Sequence, residues 1–373
     1  MQYRNARFKS SRGGDRWLVV GAPALSLAGS HVVVRSAFSE DLPIPIMLCA
    51  VPAYCDASSA GSKPLELTSL DEKLLVVAVD VEALPRRASD RHVERLLWGR
   101  HENGTAGIGE LAALAAEFGV AFTFFLDMCE QPLYGAAIDD AAQFLCAAGQ
   151  DVELHLHPEL LEASWWEAQG WVKPATLQDR YDPMTAARLI GCWADKLSTL
   201  TGQKVCAYRA GSFRWSASTI RGLASVGIPL SFNHSCAASQ RGKRFVFPGI
   251  AADVYRWDNG IVEVPCTELS LFGRSIPLQF PPTSAFWAER LARFRTYLGK
   301  RRVTVLDLHS WSLLYLDPTT GHFVFRDDAR RDALRRLLDL LCQQHRIVTS
   351  RELHALLPSM HLTTRSLAEV EVR

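Results

Sequence analysis

Three short stretches of this chain each pair a residue able to bind a metal or move a proton with another such residue two positions on. They are Asp80 and Glu82 in "VDVE", His155 and His157 in "ELHLHPE", and Asp307 and His309 in "LDLHSW". In an extended strand residues i and i+2 project from the same face, so the members of each pair point the same way. Two imidazoles with one or two carboxylates, and room left for water, form the donor set of a hydrolytic zinc or similar divalent site. The three stretches lie far apart in the chain, so the elements that carry them must bring them together.

From Lys73 onward the hydrophobic pattern alternates between strand and helix. "KLLVVAVDVEAL" is a continuous apolar run of strand length ending in acids, as expected of a strand buried on both faces. "GIGELAALAAEFG" has helical spacing with Gly119 as a stop, "VAFTFFLD" reads as strand, "DDAAQFLCAAG" as helix and "QDVELHLH" as strand. The alternation continues through the helix "TAARLIGCWADKLSTLTG", the strand "KVCAYRAG", the helix "SASTIRGLASVG" and the strands "IPLSFNHS" and "IVEVPCTEL". It ends with the helix "SAFWAERLARFRTYLG", the strand "RVTVLDLHSW", the helix "DDARRDALRRLLDLLCQQH" and the short strand "RIVTS". Alternation on this scale predicts a parallel sheet closed into a barrel. In a parallel β/α barrel the C-terminal ends of the strands share one rim. Asp80, Glu82, His155, His157, Arg209, Asn233, His234, Asp307 and His309 all fall at such ends.

Composition excludes several other classes. Lys and Arg number 41 against 40 Asp and Glu, a net charge of +1 without long like-charged blocks, which argues against a nucleic-acid partner. No run approaches the roughly 18 apolar residues of a membrane span. The 9 cysteines are scattered, odd in number and without a C-x-x-C pair, as in a reduced, cytoplasmic protein. Arg4 to Arg16 followed by "WLVVGAPALSLAGS" loosely resembles an export signal, but Asp15 and Pro23 interrupt that pattern. Residues 1–72 contain two strand-like runs, "RWLVV" and "HVVVR", and loop-like Pro- and Gly-containing sequence, and read as an extension or small subdomain. The barrel is expected over 73–357 and a tail over 358–373.

The stretches "VVAVDVE", "TFFLD", "GQDVELHLHPE", "AYRAGSF", "LSFNHS", "IVEVPCTEL" and "LDLHSW" occur in the order of the polysaccharide deacetylase (NodB-homology) family, which residues 73–357 resemble. The resemblance is to a variant with "DVE" in the first motif and "H-x-H-P" in the second. It implies a distorted (β/α)7-type barrel and metal-dependent removal of N-acetyl groups from an amino-sugar-containing glycan. The family's first motif has adjacent aspartates, one a base and one a ligand. Here Asp80 matches the base and Val81 stands at the ligand position, with Glu82 as the substitute ligand or Asp80 binding the metal itself. The second motif has two histidines four apart, which makes His155 the first, with Glu159 at the second position and His157 as an alternative.

The resemblance assigns Asp80 as catalytic base, Arg209 as the arginine that orients it and His309 as general acid. It leaves Glu82, His155 and His157 as ligands of a divalent metal, zinc foremost. The family's acidic partner for the general-acid histidine has no clear counterpart, with Asn233 near its position and Asp253 or Asp307 as substitutes. Trp165, Trp166, Trp171 and Trp311 follow these motifs, at positions that suit stacking on a sugar and equally suit core or loop-anchoring tryptophans, and "HENGTAG" and "RGKRFVFPG" are long enough to cover a site. Two other readings fit the same residues: a C–N hydrolase of a cyclic, non-sugar amide, or a catalytically silent barrel that binds glycan or a partner.

Overall fold

The computed structural model describes residues 72–242, 245–246, 251, 253–280 and 300–372. The extension before residue 72, the helix expected in "SAFWAERLARFRTYLG" and most of "RGKRFVFPG" lie outside the described residues.

The strands are β1 (Leu74–Val81), β2 (Thr123–Asp127), β3 (Asp151–Leu156), β4 (Ala207–Ala210), β5 (Leu230–Ser231), β6 (Tyr255–Trp257), β7 (Val262–Glu263), β8 (Val303–His309), β9 (Leu314–Leu316), β10 (Phe323–Arg326), β11 (Arg346–Ile347) and β12 (Thr363–Arg365). The main helices are α1 (Ile108–Glu117), α2 (Ala136–Ala147), α3 (Pro183–Thr201), α4 (Ala217–Val226), α5 (Asp328–Cys342) and α6 (Ser350–Leu356). The central sheet runs β8-β1-β2-β3-β4-β5-β7-β6-β12, with β11 also on β1. From β8 to β7 every neighbour is parallel. The sheet curls, and segments after β7 return to the free edge of β8. There Thr267 Oγ1 accepts from Val305 N at 2.8 Å, while Leu278 and Phe280 exchange backbone hydrogen bonds with Asp307. The architecture is a distorted (β/α)7-type barrel, in agreement with expectation.

Strand alternation explains the two cores. Leu75, Val77 and Val79 pack outward with Leu111 and Leu114 of α1, whereas Leu74, Val76 and Ala78 face inward with Phe125, Phe232 and Val305. Leu353 and Leu356 of α6 belong to the inner cluster, so this short helix plugs the barrel interior. Local signals fix the helix ends. Asp182 caps α3 by accepting from Met184 N and Thr185 N, and Gly202 ends it in the left-handed conformation at φ 68°. Ser216 and Thr219 form a capping box on α4.

The structure corrects three boundaries. "IVEVPCTEL" is not one strand: β7 ends at Glu263, and Pro265, with no N–H to give a ladder, separates it from the hairpin strand Glu268–Leu271. "LSFNHS" is strand over Leu230–Ser231, with one more backbone bond from Phe232 N to the Tyr208 carbonyl. Residues 363–365, expected in a tail, form β12, parallel to β6.

Candidate metal centre

The rim does gather the predicted side chains. Asp80 faces His309 in the β1–β8 register, and Asp127, His155 and Arg209 align across β2, β3 and β4. Glu82 and His157 each lie just past the end of their strand, so the chain stays extended long enough to put Asp80 with Glu82, and His155 with His157, on the inner side.

Glu82 is the point of convergence. Its Oε1 lies 2.8 Å from His155 Nε2 and 3.0 Å from His157 Nε2, and all three residues are buried. The other ring nitrogens settle the tautomers. His155 Nδ1 donates to the Arg209 carbonyl at 2.9 Å, and His157 Nδ1 meets Glu159 Oε1 at 2.8 Å. Both Nδ1 atoms face acceptors and carry protons, so in a neutral ring each Nε2 presents a lone pair toward the Glu82 oxygen. Positive charge between these atoms, from protons on the rings, whose centroids are 5.1 Å apart, or from a cation, would relieve the clash of lone pairs. The electrostatics agree with that demand. Burial works against charge on Glu82, yet the two imidazoles hold its carboxyl well below the usual range. Burial likewise opposes charge on both histidines, but the facing carboxylates raise both, His157 strongly. Two imidazole nitrogens and a carboxylate oxygen within 4.8 Å of one another fit a zinc-type ion.

Asp80, Glu82 and His309 form a second group with atoms within the same 4.8 Å. It is the poorer cation site. Asp80 Oδ1 already accepts from Arg209 Nη1 at 2.9 Å. A guanidinium about 4 Å from a cation costs about 4 kcal/mol per unit charge at an effective dielectric of 20. No lysine or arginine pairs with any member of the first group among the described residues.

Arg209 is buried, spans Asp80 and Asp307 (Nη2 to Oδ1, 2.8 Å), and lies over the ring of Phe125 at 4.7 Å. Burial disfavours its charge, but Asp80 and Asp307 hold its pKa above the usual arginine value. Asp80 Oδ2 faces His309 Nε2 at 4.0 Å. The His309 side chain is 38% exposed, where the nearby ligand candidates are enclosed, and it stacks on Trp311 at 4.9 Å.

Other expectations change. Glu159 stands behind His157, on the ring nitrogen away from Glu82. Asn233 is committed to Ala210 N (2.6 Å) and Ser231, and Asp253 caps the backbone of Arg302 and Val303 at the other end of β8. Asp307 is taken by Arg209, so the carboxylate facing His309 is Asp80. His234 bonds the Tyr255 hydroxyl at 3.0 Å. Trp166 is buried, and Trp165 stacks on buried Trp193 at 5.2 Å, which makes these rings packing groups. Loop 101–107 is pinned by Asn103, which exchanges hydrogen bonds of 2.9 and 3.0 Å with the Arg326 backbone.

Three residues escaped the sequence reading. Asp127 Oδ1 accepts from Cys129 N and His157 N, and burial pushes its carboxyl up to about 6. Its place at the end of "TFFLD", one strand from His155, was a usable signal. Glu130, buried and raised well above its usual value by burial and then by Asp127, accepts from Ala83 N and carried no signal. Gly211 lies against the His157 ring.

No family model and no curated protein matches the sequence. Among solved structures, the chain is similar to a candidate polysaccharide deacetylase from Mycobacterium smegmatis, with 17% identity, 82% of this chain and 97% of that one covered, and a TM-score of 0.49. It is also similar to Puue allantoinase, with 11% identity, 78% and 92% covered and a TM-score of 0.45. A third is a CE4 family pseudoenzyme from Bacillus anthracis, with 10% identity, 78% and 69% covered and a TM-score of 0.37.

Proposed function

We propose that the protein is a metal-dependent hydrolase that removes N-acetyl groups from an amino-sugar-containing glycan. The observation that carries the reading is the single Glu82 oxygen faced by two imidazole Nε2 atoms whose Nδ1 positions are both engaged by acceptors. Glu82, His155 and His157 would hold the ion, zinc by donor type. Such an ion supplies Lewis-acid polarisation of a carbonyl and lowers the pKa of water.

The chain's own residues account for the proton movements. Asp80 gives one oxygen to Arg209, which fixes its orientation, and keeps Oδ2 toward His309, free to take the proton of an attacking water. His309, partly exposed and stacked on Trp311, would protonate the leaving amine. Asp307 secures the far side of Arg209, so the base is positioned by a buried clamp.

The test is metal analysis of purified protein together with acetate release from N-acetylated oligosaccharides, with and without chelator. Bound zinc and chelator-sensitive release are expected. Tight glycan binding with no release would instead indicate a silent barrel, and turnover of a cyclic amide alone would indicate the other hydrolase.

A further inference from the structure

The His157 ring is gripped by groups that the proposed chemistry does not use. Its Nδ1 meets Glu159 Oε1 at 2.8 Å, its own backbone N–H donates to Asp127 Oδ1 at 3.1 Å, and one ring face lies on Gly211. A Cβ added at Gly211 would stand 2.6 Å from Cγ, Cδ2 and Nδ1 of the ring, too close for any side chain without displacing it. The turn that brings Gly211 there is strained. Ser212 and Phe213, neither a glycine, sit at φ 53° and 51°. Such a conformation persists in a residue with a side chain only where its surroundings over-determine it.

Turning the ring by half a revolution about Cβ–Cγ would exchange Nε2 with a carbon and withdraw the lone pair from Glu82. Only the observed orientation gives Nδ1–H an acceptor in Glu159. A carboxylate on the distal nitrogen also makes the proximal one a better donor.

We propose that Glu159 is a positioning residue that, with the bare backbone of Gly211, locks the His157 ring with Nε2 turned to Glu82, acting on a bound ion through His157 and not as a ligand. The effect on ion binding rests on the metal reading above, whereas the effect on ring orientation does not.

The full chain is prepared as wild type, Glu159→Ala, Glu159→Gln and Gly211→Ala. Each is titrated with Co²⁺ followed by visible absorption, and each is crystallised without ion. Glu159→Ala should weaken Co²⁺ binding by about 10–100-fold with the band shape of the bound ion retained, and its ion-free ring should be turned or split between orientations. Glu159→Gln, whose amide oxygen still accepts Nδ1–H, should recover most of the affinity and the wild-type ring. Gly211→Ala should weaken binding at least as much as Glu159→Ala. Unchanged Co²⁺ affinity with an unmoved ring in Glu159→Ala overturns the proposal. A changed Co²⁺ spectrum in that variant also overturns it, by making Glu159 a ligand. If wild type binds no Co²⁺, the metal reading fails and the ring orientation in the ion-free crystals alone decides the role of Glu159. If Gly211→Ala does not fold, the two Glu159 variants carry the test.

Discussion

Replacing Arg209 with methionine tests whether the rim is a charge-balanced unit. Methionine keeps an unbranched apolar stem against Phe125 but removes the guanidinium bonded to both Asp80 and Asp307. Breaking a buried ion pair from one side costs about 3–5 kcal/mol, because the charge left behind keeps its desolvation penalty. Here two carboxylates are left, and the Asp307 pKa is already raised by burial despite the opposing pull of Arg209. Without Arg209 it rises further. A folded value above the unfolded one means that the carboxyl favours the fold below about pH 3.9 and loses that contribution as pH climbs through the folded value. The variant's deficit against wild type should therefore be larger at pH 8 than at pH 5.5. Urea unfolding at both pH values measures it. Adding Asp307→Asn should recover part of the loss, since the coupling between contacting residues is about 0.5–3 kcal/mol. A deficit below about 1 kcal/mol, or one equal at the two pH values, would show that the carboxylates do not depend on the guanidinium.

Asp80→Asn should cut acetate release by about 10²–10⁴-fold while the ion content stays near wild type, as expected of a base; joint loss of rate and ion would make Asp80 a ligand. His309→Ala should lower release by a similar factor with the ion retained, and a normal rate would remove it as the acid. Chelation should lower the thermal midpoint, since an ion at about 100 times its Kd stabilises by about 2.7 kcal/mol; an unmoved midpoint would mean that no ion is held. Glu153 is pushed up to about 8, chiefly by burial and then by Asp151. Its contribution to stability is thus full below the usual glutamate range and is lost as pH rises toward 8. Glu153→Gln should flatten the decline in stability from pH 5 to 9, as read by unfolding midpoints, and an identical slope in both proteins would refute that.

The barrel was legible because its strands are continuous apolar runs capped by helix stops, and β1 to β4 fall where the pattern puts them. Legibility failed where pairing is set by distant partners. Nothing in residues 363–365 signals that they will lie beside Tyr255–Trp257, and the break at Pro265 shortens a run that otherwise reads as one strand. The site followed the same division. Asp80, Glu82, His155, His157, Arg209 and His309 were visible as polar residues ending apolar strands. The partner of each was not, because hydrogen bonds across the rim depend on register and on loops such as Gly211–Phe213. Asp307 shows the difference: its strand position was plain, but its commitment to Arg209 was not.

Strand β3 explains why "HLH" reads as a binding element and not only as a polar face. Asp151, Glu153, His155 and His157 follow one another at every second position and share the inner side of the barrel, so one strand carries four ionisable groups into the interior. The first two face donors. Asp151 accepts from Thr123 Oγ1, Ser350 N and Ser350 Oγ, and Glu153 accepts from Cys206 N, Ala207 N and Arg351. Those bonds tie α6 and β4 to β3, which is a structural task. The upper two groups have the opposite surroundings: the Arg209 carbonyl, Glu159 and Glu82 are all acceptors. Buried polar groups are normally paired donor to acceptor, so a cluster with acceptors on every side of two imidazoles needs positive charge from protons or from an ion. The lower half of the strand is thus held mainly by donors from its neighbours, whereas the upper half calls for positive charge.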